Sequence, residues 1–588
     1  MHKTINEDRF MFDLVIRNGI IVDGTGRDRF SADVAVRGGR IVQVGQVGGG
    51  GREEIDASGL LVTPGWVDVH THFDGQATWD PILEPSSVHG TTTVVMGNCG
   101  VGFAPCKPTA EERDRMIRVM EDVEDIPGSA LHEGITWEWE SFPEYLDALD
   151  RCERVIDIAA QVPHCAVRCY VMGERGVHNE AATEEDIQRM VEIVREGLAA
   201  GALGFSTSRT ELHRTRDGDV MPGTYADEAE LLRIGAVLGE HGHGLYQVVS
   251  DFHDWQREMD WMKRLSLSTG RPVNFVLFYR RDADAARIRE QLAYVKQANA
   301  EGARLVPHVA GRPVSILMGW EGSANPFMLC PSAGEVLALT GAERVAMLRD
   351  PEYRARLLSE RPVPTGHELV DALGSDFDNF FVLGDPPDYE QHPSNSVGAI
   401  ARRAGVSPAQ VAYDALLANE GRGMLYYPVF GYGAGDLSAQ VEMLKDESTV
   451  LSLADGGAHC GVLCDASMPT YVLQHYVRDR TRGERFALEW AVHQMTGRTA
   501  QAAGLEDRGT LKPGMLADIN VIDFDALRLH APEVVYDLPA AGRRVVQHAD
   551  GYRATIKSGV VTFRDGRHTG ALPGRLIRGT QPAPAART

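Results

Sequence analysis

The sequence predicts an α/β protein in which a parallel sheet of strand–helix units is completed by a small β domain drawn from both chain termini. Three observations carry this prediction. β-Hairpin patterns occupy both ends of the chain, and the middle alternates strands with amphipathic helices. The 588 residues are also enough for a large core and a second domain.

At the N-terminus, Asp13-Leu14-Val15-Ile16-Arg17 runs into Asn18-Gly19, a hairpin turn signal, and then Ile20-Ile21-Val22. A second hairpin follows, with Asp33-Val34-Ala35-Val36, a turn at Gly38-Gly39 and Arg40-Ile41-Val42-Gln43-Val44. The C-terminal part repeats the grammar in Ala517-Asp518-Ile519-Asn520-Val521-Ile522 and in the segment from Ala554 to Val561, which leads to a turn at Asp565-Gly566. The two ends are therefore expected to build one domain from residues 1–62 and 500–578. Residues 579–588, rich in Pro and Ala, read as a flexible tail.

Between them, residues 183–206 show the repeating unit most clearly. Thr183 caps a helix, with Asp186 three residues on. Ile187, Met190, Val191, Val194 and Leu198 share one helical face. Gly201 stops the helix, and Ala202-Leu203-Gly204-Phe205-Ser206 follows as a buried strand. Roughly 430 residues of such units, residues 63–499, fit a (β/α)₈ barrel with insertions. Periodicity alone does not separate that barrel from an open, doubly wound sheet.

Composition excludes several function classes. A net charge of −24 argues against nucleic acid as a partner, because phosphate backbones are bound by clustered Lys and Arg. No run reaches the 18 or so apolar residues of a membrane helix. The charged first dozen residues do not read as a secretion signal, so a cytoplasmic location is the default. The eight cysteines are scattered, and reduced thiols are expected of them.

The chemistry concentrates in Pro64-Gly65-Trp66-Val67-Asp68-Val69-His70-Thr71-His72. Residues two apart on a strand face one side, so His70 and His72 direct both imidazoles to one point, half of a metal site. At the C-terminal end of an apolar strand, that is where a barrel would carry its active site.

This opening resembles that of the amidohydrolase superfamily. Gly97-Asn98-Cys99-Gly100, the stretch from Gly201 to Thr207 and the ending from Asp507 to Asp518 are similar to its N-acyl-D-amino-acid deacylase (D-aminoacylase) branch, and the likeness runs in order along nearly the whole chain. The resemblance implies a TIM-like (β/α)₈ barrel with a small β-sandwich domain and a divalent metal site, zinc in type, with one or two ions. It implies hydrolysis of an amide C–N bond in an N-acyl amino acid or related small amide. By the same resemblance Cys99 is a metal ligand, and Asp455, in Leu453-Ala454-Asp455-Gly456-Gly457, is the proton shuttle that also touches the metal. A carboxylate there accepts a proton from activated water and delivers it to the leaving nitrogen.

The sequence departs from that branch in its middle strands. Residues 244–250 and 271–277, where two further metal histidines are expected, contain none, and no middle-strand lysine offers itself for carbamylation. The arginine expected after the catalytic aspartate is replaced by Ala458-His459-Cys460-Gly461. His164, Arg209 and His459 are the candidate substrate-binding residues, with His164 and His459 also considered as replacement ligands. His213, His243, His253 and His308 are read as ordinary histidines. The insertions at about 105–139 and 311–395 are long enough for lids or for subunit contacts in a homo-oligomer. Two other readings remain open: a cyclic amide, urea or carbamate hydrolase using the same residues, and a weakly active binding or scaffold relative.

Overall fold

The structure, a computed structural model, describes residues 11–215, 218–280 and 284–585. Residues 1–10 of the expected β domain and 586–588 of the expected tail lie outside that range.

The chain opens with β1 (Phe12–Ile21), β2 (Phe30–Arg37), β3 (Arg40–Gly45), β4 (Gly51–Asp56) and β5 (Leu61–Pro64). Asn18-Gly19 is not the expected hairpin turn. It is a bulge inside β1, which pairs antiparallel with β2 on both sides of it. Asn18 takes φ +59° and its N–H donates to Asp33 Oδ1 at 2.9 Å, so the ladder absorbs the irregularity. The second hairpin forms as read, between β2 and β3.

Seven strands then follow in parallel: β6 (Trp66–Asp68), β7 (Thr91–Met96), β8 (Asp157–Pro163), β9 (Gly204–Arg209), β10 (Leu245–Ser250), β11 (Val273–Val276) and β12 (Leu305–Val309). An insertion carries the antiparallel strands β13 (Val314–Met318), β14 (Phe381–Val382) and β15 (Leu425–Phe430) before the eighth barrel strand, β16 (Val450–Leu451). The eight barrel strands pair in the order β16-β12-β11-β10-β9-β8-β7-β6. A parallel bridge between Thr71 and Gly456 joins the two ends, with His72 N–H donating to Gly456 O at 2.8 Å. This is the (β/α)₈ barrel. Every residue of β7 and β8 is buried, as expected of parallel strands covered on both faces. The helix Glu184–Ala200 begins with the Thr183/Asp186 capping box and ends at Gly201, φ +109°.

The C-terminal part adds β17 (Ile519–Ile522), the short strands β18 (Arg528–Leu529), β19 (Glu533–Leu538), β20 (Gly542–Val546) and β21 (Ala549–Asp550), and then β22 (Tyr552–Lys557), β23 (Val560–Arg564) and β24 (Arg567–His568). Strand β17 lies antiparallel to β5, with Ile519 opposite Pro64 and Ile522 opposite Leu61. Both termini thus share one nine-stranded sheet, and its pairing does not separate it into the two layers of a sandwich. The sheet rolls so that Gly39, at the β2–β3 turn, accepts from Ala517 N–H at 3.0 Å. Leu14, Ile16, Val36, Ile519, Val521 and Ile556 belong to one apolar core inside it.

Two features tie sheet to barrel. Asp157, at the start of β8, receives Arg508 Nη1 at 2.7 Å and Lys557 Nζ at 2.8 Å, and Lys557 also meets Asp518 at 2.9 Å, all four side chains being buried. Residues 573–577, expected in the β domain, instead run along β8, with Ile577 N–H donating to Ile158 O at 2.7 Å. Ile577 joins Val67, Val95, Ala159, Leu203 and Leu245 in the core at the N-terminal end of the barrel, and burial of that apolar side chain explains the path. The described part of the expected tail continues in contact, Gln581 N–H donating to Gly504 O at 2.8 Å. Among the described residues no helix is long and apolar enough to cross a membrane.

Candidate metal centre

His70 and His72 leave β6 at its C-terminal end, held by Thr71, whose N–H donates to Val95 O at 3.0 Å. Their ring centroids are 5.5 Å apart. Cys99 follows β7, and its Sγ lies 3.2 Å from His70 Nε2. One ligand atom from each of these three residues falls within 4.8 Å of the others, and all three are buried. Asp455, beyond β16, places Oδ1 3.4 Å from His70 Nε2 and 3.6 Å from His72 Nε2. The barrel's closure thus carries the first and last strands' functional groups to one point.

The loop that presents Cys99 is tightly specified. A Cβ on Gly100 would lie 2.9 Å from Thr207 Cα, which leaves room for glycine alone. Asn98 donates to Thr71 O and Val95 O at 3.2 and 2.9 Å, and Cys99 N–H donates to Gln247 Oε1 at 2.7 Å. Cys99, Leu453, Asp455 and His459 all take positive φ, between 46° and 74°. Such left-handed non-glycine residues persist where surrounding structure over-determines them, commonly at functional sites.

Burial pushes the His70 imidazole down to about 3 and the Cys99 thiol up to about 11. His72 is driven well above its ordinary value: burial opposes this, but Glu124, Asp455 and Cys99 outweigh it. Burial would raise the Asp455 carboxyl, yet His72, His70 and His459 hold it down to about 2. Two imidazoles, a thiol and a carboxylate facing one another in a buried pocket are the donor set of a zinc-type site. A cation there would reverse the thiol's preference and hold it as thiolate. The residues present fit such an ion.

Around the cluster is a cavity of about 230 Å³. Val249 at the end of β10 and Val276 at the end of β11 face it, so the middle strands present methyl groups in the region where the further histidines are expected. The insertion contributes Val314, Ile316, Val429 and Phe430 as a wall. A larger open cleft of about 960 Å³, between Trp79, Tyr536 and Phe563, holds no such cluster of buried donors.

The other candidates scatter. His459 lines the cavity, its Nε2 3.5 Å from Glu124 Oε2. His164 does not line it: the ring is buried between Thr207 Oγ1 and Glu230 Oε1, each at 2.8 Å. Arg209 is likewise turned away from a substrate, because Glu258 takes its guanidinium at 2.9 Å and Ala226 O accepts at 2.9 Å. Two histidines read as ordinary lie near the cluster. His213 lines the cavity, and His308 is buried in the barrel with its ring 6.4 Å from that of His70 and neither nitrogen hydrogen-bonded. His253 stays exposed beside Asp251.

Glu124 gives no signal in the sequence beyond an acidic residue in a long insertion. It ends the helix Ala110–Glu124, is 1% exposed, and sets Oε1 3.8 Å from His72 Nδ1. That oxygen has no hydrogen-bond partner.

The Amidohydrolase family model matches residues 53–563 of the chain. The D-aminoacylase of Alcaligenes xylosoxydans xylosoxydans is 26% identical over an alignment covering 97% of this chain and 98% of its own. A solved structure of D-aminoacylase, whose binuclear metal centre is activated by one metal and attenuated by a second, superimposes with a TM-score of 0.64 at 24% identity, covering 97% of this chain and 100% of that one. N-acyl-D-glutamate deacylase from Bordetella bronchiseptica, solved with zinc and a phosphonate mimic of the tetrahedral intermediate, gives 0.63 at 24%, covering 96% and 99%. The two structures share the barrel fold with this chain. With the family match spanning most of its length, the chain belongs to the amidohydrolase family, on its D-aminoacylase-like branch, and is a hydrolase of C–N bonds.

Proposed function

We propose that the protein hydrolyses the amide bond of a small acylated amine, the class that includes N-acyl amino acids, with His70, His72 and Cys99 holding one divalent cation of the zinc type and Asp455 moving the proton. The observation that carries this reading is the position of Asp455 Oδ1, within 3.6 Å of both imidazoles and facing the cavity. A divalent cation held by these residues would supply polarisation of a carbonyl and an ionisation of water nearer neutral pH. Asp455, kept ionised by its histidine neighbours, accepts the proton that water gives up and delivers it to the leaving nitrogen. Glu124 orients His72 from behind. The apolar walls keep bulk water from the reacting groups.

One ion is proposed because, among the described residues, His70, His72 and Cys99 form the one group of three donor side chains brought together closely enough to hold a metal. The test is elemental analysis of protein purified without added metal, together with turnover on a panel of small amides. About one equivalent of zinc or a similar ion per chain, with turnover lost on chelation and restored by metal, is the expected result. Protein that stays metal-free and inactive after reconstitution would refute the proposal.

A further inference from the structure

We infer that the acylated amine this site accepts is apolar and carries no free carboxylate. The inference rests on the amide-hydrolase reading and narrows its substrate class. N-acyl amino acids place a carboxylate on the carbon next to the amide nitrogen, within a few bonds of the scissile carbon. A site that holds such a substrate needs a cation aimed at that position, usually a guanidinium in bidentate contact.

The cavity wall has a different chemistry. Phe278 and Phe430 stack at 4.6 Å between centroids, 16° from parallel, and both face the cavity. Val249, Val276, Val314 and Ile316 extend the same apolar surface. Among the described residues no Lys or Arg lines it. Arg209, the arginine considered for substrate binding, is saturated by Glu258 and by backbone carbonyls. Glu124 and Asp455 sit with His70, His72 and Cys99 at the metal end of the cavity, so a substrate carboxylate directed away from that end would meet apolar surface. The volume, about 230 Å³, lies below the roughly 300–1,000 Å³ usual for ligand sites, which favours a small compact molecule.

A matched pair tests this. N-acetylphenethylamine and N-acetylphenylalanine share the scissile amide and the ring and differ by the carboxylate. Both enantiomers of the acid would be compared with the neutral amide on the zinc-loaded protein. The expected result is a kcat/KM at least ten-fold higher for the neutral amide. Calorimetry on zinc-loaded Asp455→Asn protein ranks binding independently of turnover. Neutral amide that binds more tightly but is not cleaved would count against amide hydrolysis and leave the pocket assignment standing. Acid that is cleaved or bound as well as the neutral amide, or no binding by either, would overturn the inference. As a second variant, Leu212→Arg adds a cation at the cavity rim, where Leu212 is 45% exposed and tolerates charge. It should raise kcat/KM for the acid several-fold relative to the neutral amide, and an unchanged ratio would count against a carboxylate-excluding wall.

Discussion

Glu124 Oε1 stands 3.8 Å from His72 Nδ1, with both side chains almost fully buried. The pairing joins the helix Ala110–Glu124, inserted after β7, to the histidine that follows β6. Carboxylates behind a ligating histidine set its tautomer and orientation, and their loss commonly costs about 10–100-fold in metal affinity or activity. Glu124→Gln keeps the shape and removes the charge. Competition with a chromophoric chelator should show zinc affinity reduced by about that factor. Unchanged affinity would remove Glu124 from the site.

Asp455 touches both histidines, so its two roles separate by substitution. Asp455→Asn preserves an oxygen at the cluster but abolishes a base. Turnover should fall by about 10²–10⁴-fold, the usual contribution of a positioned acid–base group. Bound zinc should remain near one equivalent. Full turnover in this variant would assign proton transfer elsewhere, with His213 and His459 the next groups facing the cavity.

Acid stability is governed in part by a histidine outside the cluster. His89 is buried, its Nε2–H donating to Gln547 O at 2.7 Å while Nδ1 meets Thr470 Oγ1 at 2.9 Å. Burial lowers its pKa from 6.5 to about 4. The folded state therefore prefers the neutral ring, and its stabilisation is complete above pH 6.5 and is lost as pH falls through about 4. At about 1.4 kcal/mol per pKa unit, this contributes about 3 kcal/mol. Urea unfolding at several pH values should show that His89→Gln loses about 3 kcal/mol less than wild type between pH 7.5 and pH 4. An identical pH dependence in the two proteins would contradict it.

The buried ion cluster makes a fourth prediction. Lys557 Nζ lies 2.8 Å from Asp157 and 2.9 Å from Asp518, and none of the three is more than 3% exposed. Lys557→Met leaves Asp518 without its cation. Removing one partner of a buried pair typically costs about 3–5 kcal/mol. Denaturant unfolding should show a loss of that order, with part of it recovered when Asp518→Leu is added. A loss below about 1 kcal/mol would mean that water enters the cluster.

Much of the site was legible in the sequence because its groups sit at strand ends with strict local geometry. The His-x-His spacing is a local requirement and leaves a residue-level mark, and the runs around Cys99 and Asp455 carry the resemblance to the amidohydrolases that made those two residues candidates. The hairpin between β2 and β3 was legible for the same reason. Asn18-Gly19 misled because a positive φ serves a bulge as well as a turn, and only pairing with β2 on both sides distinguishes them. His308 and Glu124 left no mark, since an isolated histidine or glutamate looks alike whether it faces solvent or a cluster.

By itself, then, the sequence determined the strand–helix alternation, the terminal β-strands and the His70-x-His72 pair as a candidate ligand pair, because periodicity, turn chemistry and spacing are written in neighbouring residues. Cys99 and Asp455 were candidates through the family resemblance. Tertiary structure alone decided which distant groups meet. Closure of β6 onto β16 through Thr71 and Gly456 brings Asp455 to the histidines across nearly 400 positions of chain. Packing of an inserted helix delivers Glu124, and ion pairing with Glu230 and Glu258 withdraws His164 and Arg209. Such contacts depend on the free energy of burying charge and apolar surface in the whole fold, a quantity that no short window of sequence contains.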